Sequence, residues 1–349
     1  MQTPGISLRP VAQRSDHALM LEAVAAADEV RYATSPNPWV GAVLVTSDGR
    51  SFSGATEPAG GRHAEVVALE QARAAGADPS GGTLVVTLEP CHHHGRTPPC
   101  TDALVAAGVR RVVVATLDPD RRVSGRGIDA LRAAGIEVEL GVAAAEAEQQ
   151  LAAYLTHRRT GRPWVTLKLA STLDGRTAAA DGTSRWITGA EARADAHLLR
   201  SQHDAVLVGA GTVRADDPQL TVRHVAGRDP LRVVLGQAPA GARVHPALEL
   251  GGPLPEVLAD LAGRGVVTLL VEGGATVAHA FHDAGLVDRY VLYLAPALMG
   301  GSDGTPLFDG PGARNVAALR RSRVLDVRRI GDDIRVDLAG SSVPAAVLV

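Results

Sequence analysis

Two short segments contain the residues best suited to chemistry, HAE at residues 63–65 and EPCHHHGRTPPC at residues 89–100. They hold the only two cysteines of the chain, Cys91 and Cys100, and four of its twelve histidines. One imidazole and two thiolates make a three-ligand set for zinc, and a catalytic zinc site keeps its fourth position for water. We therefore predict that His63, Cys91 and Cys100 bind one zinc ion per chain.

Glu65 lies two residues after His63, where its carboxylate could reach a zinc-bound water without binding the metal. Zinc lowers the pKa of bound water towards neutrality, and the resulting hydroxide can attack a carbon that bears an amine. H-x-E followed by P-C and a further cysteine is typical of zinc nucleobase deaminases, in which the glutamate transfers protons. Glu65 is accordingly the predicted catalytic residue.

Three other interpretations of the two cysteines exist. The nine-position step from Cys91 to Cys100 exceeds the familiar CxxC spacing and would permit a disulfide, although disulfides are rare in the cytoplasm. A structural zinc site with a second histidine would leave Glu65 without a purpose, and the third alternative is coincidence. The long spacing is compatible with zinc because Pro98-Pro99 and the helix predicted after them can return the second thiol to the metal.

The length of 349 residues predicts two domains. A composition of 46% hydrophobic and 21% charged residues is typical of a soluble globular protein. Because no apolar run approaches the about 18 residues of a membrane span, and no signal peptide is visible, we expect a cytoplasmic protein without a membrane partner. The net charge of −3 gives no reason to expect a nucleic-acid partner.

Strand-like and helix-like segments alternate in two blocks, which predicts two α/β domains, with a largely parallel sheet covered on both faces in the first. The boundary is expected at the helix-like stretch 144–163, which runs into a Gly-Pro break. The predicted divisions are a first domain over 1–146, a linker helix and break over 147–162, and a second domain over 163–349.

The chain contains 35 basic residues, of which only Lys168 is a lysine. A lone lysine in an arginine-rich sequence indicates a position that needs a compact ammonium and does not accept a planar guanidinium. Its place within the apolar strand pattern WVTLKLAS favours a functional role, and the alternative is a chance survivor on the surface.

Two glycine turns follow strand patterns in the second half, in VLVGAGTV and LLVEGGATV. The segment from Gly209 to Arg214 lacks the third glycine of a Rossmann fingerprint, so a Rossmann domain is disfavoured. Backbone amides at such turns can bind the phosphates of a cofactor. Tight packing of a strand against a helix would explain the same glycines.

The segment from HAEVVAL to VVVATLDPD resembles the RibD family of bifunctional riboflavin-biosynthesis deaminase–reductases, whose pattern is HAE followed by EPC-x-H-x-G-[RK]-T-PPC. The resemblance continues in PNPWVG, KLASTLDGRTA, SRWITG, DAVLVGAGTVRADDPQLTVR and VEGGATVAHAF, and so covers nearly the whole chain. It implies an N-terminal cytidine-deaminase-like three-layer domain with a mostly parallel sheet, and a C-terminal dihydrofolate-reductase-like α/β domain.

The resemblance also implies two consecutive reactions on a phosphorylated aminopyrimidine. The first domain would deaminate 2,5-diamino-6-ribosylaminopyrimidinone 5′-phosphate hydrolytically, with zinc. The second would use NADPH to reduce the ribosyl group to ribityl. Members of the family are usually homo-oligomers.

Roles for individual residues follow from the same resemblance. Deaminase substrate contacts would be Asn37, His93, Arg96 and Asp118. NADPH contacts would be Ala170, Trp186, Thr212, Asp216 and Gly274, the last within the segment 274–280. Reductase substrate contacts would be Lys168, Ser184, Arg200, Leu220, Arg223 and Glu272.

The sequence departs from the family pattern at two places. Asp118-Pro119-Asp120-Arg121 stands where the family has D-P-N-P, and we expect Arg121 or Arg122 to compensate for the charge of Asp120. Gly236-Gln237 replaces the usual Asp-Ser, and the stretch 236–265 is shorter than usual. One ligand contact from that stretch is therefore expected to be absent or supplied by another residue.

Three rival functions fit parts of this pattern. One is another zinc deaminase on the same scaffold, with a second domain that serves a different reduction. Another is a structural-zinc protein that binds a nucleotide for regulation. The third is a protein in which only one half is active.

Overall fold

The computed structural model describes residues 14–95, 97–120 and 122–340. It divides the chain into two compact units between Leu151 and Ala152. The boundaries expected from the sequence, at residues 146 and 163, flank this point. Within the described ranges, no helix is both long and apolar enough to cross a membrane.

The first unit is a five-stranded sheet with helices. Its strands are β1 (Gly41–Val45), β2 (Ser51–Ala55), β3 (Thr83–Leu88), β4 (Arg111–Thr116) and β5 (Glu137–Leu140). Its helices are α1 (Asp16–Val30), α2 (Ala64–Ala74), α3 (Cys100–Ala106), α4 (Arg126–Ala133) and α5 (Ala144–Gln150). The strand order is β2-β1-β3-β4-β5, and β1 alone runs against the other strands. The predicted α/β architecture is confirmed.

The central strands of this sheet are apolar at nearly every position because helices cover both faces. Val85 and Val113 pack with Met20 of α1 on one face, while Leu84 and Val86, on the other side of β3, are also fully buried. The sequence TLVVTL is therefore a continuous hydrophobic run and not an alternating one.

The second unit is built on an eight-stranded sheet with a separate two-stranded ribbon. Its strands are β6 (Trp164–Thr172), β7 (Arg176–Ala178), β8 (Ala205–Gly209), β9 (Leu231–Leu235), β10 (Leu248–Leu250), β11 (Thr268–Val271), β12 (Arg289–Ala295), β13 (Thr305–Pro306), β14 (Val324–Ile330) and β15 (Asp333–Ala339). Its helices are α6 (Ala152–Thr160), α7 (Ala190–Ser201), α8 (Ala210–Asp216), α9 (Leu254–Gly263) and α10 (Ala275–Asp283), with a 3₁₀ turn at Val316–Ala318.

The order of the large sheet is β10-β9-β8-β11-β6-β12-β15-β14. The pairings from β10 to β12 are parallel, and those of β15 with β12 and β14 are antiparallel. Ala205 and Leu207 of β8 enter one hydrophobic cluster, while Val206 and Val208 enter the cluster on the opposite face. Both faces of the parallel part are thus buried, which explains the run AVLV.

Three loops of the first unit meet at one edge of its sheet. β3 and β4 are parallel, so their carboxyl ends lie side by side, and Glu89 donates its backbone N–H to the carbonyl of Thr116 at 3.0 Å. β1 runs against β3 and therefore begins at the same edge, where the Gly41 N–H donates to Oγ1 of Thr87 at 3.1 Å. The loops that precede β1 and follow β3 and β4 thus converge.

A buried carboxylate joins two of these loops. Glu89, only 4% exposed, accepts backbone N–H groups from Asp118 at 3.3 Å, Gly125 at 3.0 Å and Gly127 at 2.9 Å. Gly127 approaches so closely that a Cβ atom there would lie 2.0 Å from the carbonyl oxygen of Pro90. The start of α4 is therefore fixed against the segment that leads to Cys91.

We predict that Gly127→Ala destabilises the protein by about 1–3 kcal/mol, because a methyl group cannot fit against the Pro90 carbonyl without a backbone shift. The matched control is Gly263→Ala, at a helical glycine whose added Cβ would meet nothing within 4 Å. Thermal melting should show a lower midpoint for Gly127→Ala alone. Equal midpoints for the two variants would mean that the loop moves aside without cost.

Candidate functional site

The three predicted zinc ligands lie together in the first unit. His63 is the N-cap of α2, Cys100 is the first residue of α3, and Cys91 follows β3. Nδ1 of His63 is 3.1 Å from Sγ of Cys100 and 3.6 Å from Sγ of Cys91, and all three donor atoms lie within 4.8 Å of one another. Zinc bonds of about 2.0–2.3 Å require donor atoms at such separations. Both cysteines are free, so the structure does not contain a disulfide between Cys91 and Cys100.

Neighbouring groups orient these donors. Oγ1 of Thr97 lies 3.4 Å from Nε2 of His63, on the side of the ring away from the thiols, and so leaves Nδ1 facing them. The backbone N–H of Cys100 donates to Sγ of Cys91 at 3.4 Å. Such contacts fix the ring and the loop before a metal binds. Thr97 was not singled out from the sequence because a threonine in a loop has no distinguishing pattern.

Glu65 is in the first turn of α2 and only 3% exposed. Burial and the nearby Cys91 thiolate raise the pKa of its carboxyl to about 7. A hydrogen bond with Cys100 lowers the pKa of the Cys91 thiol to about 4, and His63 contributes in the same direction. The cluster therefore holds a thiolate beside a carboxyl group that can both accept and release a proton near neutral pH.

The predicted deaminase substrate residues occupy the loops at the same sheet edge. Asn37 lies in the loop before β1 and donates its backbone N–H to the Thr34 carbonyl at 3.0 Å. Asp118 follows β4 and is 6% exposed. His93 lies between the two cysteines, and its Nδ1 is buried without a hydrogen-bond partner among the described residues. Arg96 falls outside the described residues.

Arg122 neutralises the aspartate that replaces the family's amide. Its Nε and Nη2 donate to the Asp120 carboxylate at 3.1 and 2.7 Å. The Asp120 N–H in turn donates to Oδ1 of Asp118 at 2.9 Å. This agrees with the compensation expected from the sequence for Arg122, while Arg121 lies outside the described residues.

In the second unit, the predicted reductase residues other than Gly274 line a single cavity of about 660 Å³. The residues that share this wall are Lys168, Ala170, Ser184, Trp186, Arg200, Thr212, Asp216, Leu220, Arg223 and Glu272. They come from β6, the segment between β7 and α7, α7, α8, the segment after α8 and the residue that follows β11. Neighbouring parallel strands bring these distant segments together because their carboxyl ends meet at one edge.

Gly274 lies against this wall without being part of it. It is the N-cap of α10, and a Cβ atom on it would lie 3.0 Å from Oγ1 of Thr212. Gly209 caps α8 in the same way, and a Cβ there would lie 2.8 Å from Cγ2 of Val277. The tight packing expected of these glycines is therefore present, and it brings the first turn of α10 beside Thr212, a cavity residue. Binding of a cofactor phosphate by these turns stays a prediction.

A group of charged residues lies inside the cavity. Arg200 forms two hydrogen bonds with the Glu272 carboxylate, at 2.5 and 2.9 Å, and Nζ of Lys168 is 3.9 Å from the same carboxylate. Burial alone would raise the pKa of Glu272, but the charge of Arg200, its hydrogen bonds and the charge of Lys168 together outweigh burial and lower this pKa to about 2. Burial lowers the pKa of Lys168. Lys168 is therefore a partly buried ammonium beside a permanently ionised acid.

Two further features of the cavity escaped the sequence analysis. His197 is 6% exposed, and burial together with Arg200 and Arg223 lowers its pKa to about 4, so its imidazole is neutral at pH 7. Its place one helical turn before Arg200 in HLLRS was the available signal. Leu220 has a φ of +55°, a left-handed conformation that is costly for a leucine and concentrates at functional sites.

Trp186 is 69% exposed at the cavity wall, although a large aromatic side chain is usually buried. The guanidinium of Arg193 lies 4.6 Å from its ring centroid, and that of Arg185 lies 5.8 Å away. Arginine stacking of this kind holds an exposed ring in place. The ring is therefore available as a flat surface for a ligand.

Comparison with protein families gives matches in both units. Residues 13–116 match the cytidine and deoxycytidylate deaminase zinc-binding region, and residues 163–336 match the RibD C-terminal domain. The chain is 39% identical to the riboflavin biosynthesis protein RibD of Escherichia coli, with 93% of this chain and all of that protein covered. It is 44% identical to RibD of Mycobacterium tuberculosis, with 89% and 93% covered.

Solved structures agree with these matches. Acinetobacter baumannii RibD superposes with a TM-score of 0.86 at 39% identity, covering 94% of this chain and 99% of that one. A diaminohydroxyphosphoribosylaminopyrimidine deaminase/5-amino-6-(5-phosphoribosylamino)uracil reductase from Thermotoga maritima gives 0.84 at 35% identity, covering 93% and 98%. With a zinc deaminase region in its first half and the reductase domain in its second, the chain belongs to the RibD family of bifunctional riboflavin biosynthesis enzymes.

Proposed function

We propose that this protein catalyses two consecutive steps of riboflavin biosynthesis. The first is hydrolytic deamination of 2,5-diamino-6-ribosylaminopyrimidinone 5′-phosphate, and the second is NADPH-dependent reduction of the ribosyl side chain to ribityl. The observation that supports this most directly is the pairing of two sites in one chain. One is the His63, Cys91 and Cys100 cluster beside buried Glu65, and the other is the cavity around Lys168.

In the deaminase site, His63, Cys91 and Cys100 would hold zinc, which supplies a nucleophilic water at neutral pH. Glu65 would take the proton released from this water and deliver it to the departing amine, a double task that suits a carboxyl group with a pKa of about 7. Asn37, His93, Arg96 and Asp118 would hold the pyrimidine and its phosphosugar.

In the second site, the cofactor would supply the hydride, and the protein would bind and orient both ligands. NADPH is assigned to the wall formed by Ala170, Trp186, Thr212, Asp216 and Gly274. A side chain at Gly274 would occupy the space beside Thr212, so the glycine keeps the first turn of α10 open to a cofactor group.

The substrate is assigned to the charged end of the same cavity. Lys168, Ser184, Arg200, Leu220, Arg223 and Glu272 are its proposed contacts. The guanidiniums are natural partners for a phosphate, while the Lys168 ammonium, close to Glu272, can donate to a hydroxyl or ring oxygen of the sugar. An inactive second half is disfavoured, because holding a partly buried lysine among these charges costs free energy that a cavity without a ligand would not recover.

We also propose that the protein forms a homo-oligomer. β14 is the edge strand of the large sheet, and Val324 and Val327 on it are 56% and 58% exposed. An edge strand that displays apolar side chains to water is a template for pairing with another chain.

Substituting Glu65 by Gln should reduce ammonia release by about 10²–10⁴-fold, because the proton carrier is lost while the zinc ligands remain. The assay supplies the diaminopyrimidine phosphate with and without NADPH, and follows ammonia release and NADPH oxidation separately. Bound zinc should be unchanged, and NADPH oxidation with the deaminated intermediate should persist. Glu70→Gln, an exposed glutamate on the same helix, is the control. Undiminished ammonia release in Glu65→Gln would favour a structural zinc site, and absence of both activities in the wild type would refute the proposed function.

Substituting Lys168 by Met should lower the reductase kcat/KM by about 100-fold, since a charge-assisted hydrogen bond contributes about 1.5–3 kcal/mol. Lys168→Arg should recover little of this loss, because a planar guanidinium does not replace a compact ammonium beside Arg200. Ammonia release should be the same in both variants as in the wild type. Full reductase activity of Lys168→Arg would contradict the requirement for a compact ammonium at this position.

The oligomer is tested by light scattering of the purified protein. The wild type should have at least twice the mass of one chain, and Val327→Asp should shift it towards the monomer, because a charge on an apolar contact is costly. Leu21→Asp, at an exposed leucine of α1, is the control and should leave the mass unchanged. A monomeric wild type would exclude the oligomer.

A further inference from the structure

Three arginines lie at one end of the reductase cavity, and of the three only the Arg200 guanidinium has a carboxylate of a described residue within 4 Å. Arg200, Arg223 and Arg243 line this end together with His197 and His224. Arg200 is paired with Glu272, whereas the hydrogen bonds that Arg223 makes to described residues go to neutral oxygens, Oε1 of Gln219 at 3.0 Å and Oγ1 of Thr221 at 2.8 Å. Within the ranges that the structure describes, no carboxylate lies within 4 Å of the Arg243 guanidinium.

The backbone of Arg243 is nevertheless held in place. Arg243 lies between β9 and β10, and its N–H donates to the Asp217 carboxylate at 2.7 Å. The next residue, Val244, is fully buried in the hydrophobic cluster on that face of the sheet. The Ala242 N–H donates to the Pro239 carbonyl at 3.0 Å and closes the turn. A fixed backbone thus presents an exposed guanidinium to the cavity.

The positive groups at this end affect one another. The pKa of Arg223 is lowered by burial and by the charges of Arg200 and Arg243. Like charges placed together at a cavity wall cost free energy unless a ligand of opposite charge neutralises them. A phosphate monoester carries such a charge and accepts hydrogen bonds from several guanidiniums at once.

We propose that Arg243 is a specificity-determining residue that binds a ligand phosphate in the reductase cavity. This inference rests on the proposed reductase function and extends it to a residue of the stretch 236–265. That stretch has Gly236-Gln237 where the family pattern has Asp-Ser, and the proposal gives it a ligand contact through Arg243. The ligand chemistry is a phosphate monoester, which both the substrate 5′-phosphate and the adenosine 2′-phosphate of NADPH provide.

The test compares Arg243→Met and Arg243→Lys with Arg214→Met, an exposed arginine of α8 outside the cavity wall. Dissociation constants are measured for four ligands, namely NADPH, NADH, the deaminated substrate and its dephosphorylated form. Arg243→Met should weaken binding of one phosphate-bearing ligand by about 10–100-fold and leave its phosphate-free counterpart unchanged. Arg243→Lys should recover most of the affinity, because it keeps the charge.

The two phosphate sources give different results. A loss confined to NADPH, with NADH unchanged, assigns Arg243 to the cofactor, and a loss confined to the phosphorylated substrate assigns it to the 5′-phosphate. The inference would be overturned if Arg243→Met lost equal affinity for a ligand with and without its phosphate. It would also be overturned if Arg243→Met bound all four ligands as Arg214→Met does, in an active protein with an unchanged melting temperature. Failure of the wild type to oxidise NADPH would instead refute the reductase function.

Discussion

The carboxylate of Glu89 accepts backbone hydrogen bonds from Asp118 and Gly125 of the next β–α connection and from Gly127 in the first turn of α4, and the geometry of the deaminase site depends on it. Because Glu89 precedes Cys91 by two residues, its position determines where one proposed zinc ligand lies. Because Asp118 is among its donors, the same carboxylate also fixes a proposed substrate residue. A buried acid of this kind must be fully hydrogen bonded, and three amide donors satisfy it without a counter-charge.

The second unit also depends on a buried acid, but it is satisfied differently. Glu272 immediately follows β11 and is held by Arg200, with Lys168 nearby. Here the counter-charges are side chains, so the cavity contains a dense group of ionised residues that a polar ligand can rearrange. The contrast fits the two proposed reactions, because the deaminase needs a fixed metal site and the reductase needs a polar pocket.

The sequence was sufficient for the parts of the fold and site that depend on local pattern. The alternation of strand-like and helix-like segments predicted two α/β domains, and His63, Glu65, Cys91 and Cys100 could be grouped because their residue types and spacing match the RibD family. Thr97 and His197 could not be found, because their roles come from contacts across loops and helices. β10 and α9 lie in a stretch rich in Gly, Ala and Pro, where the hydrophobic pattern is weak. For the same reason, the sequence pattern did not predict that Arg243 approaches the cavity. This approach follows from the order of the strands in the large sheet.

The single lysine has a chemical consequence beyond binding. Reagents that modify amines usually encounter many exposed lysines, yet in this chain they meet one lysine side chain, and it lies in the reductase cavity. Burial lowers its pKa, which increases the fraction of the neutral, nucleophilic amine. Arginine usage elsewhere in the sequence has thus left the protein with a built-in position for a covalent reporter of its second site.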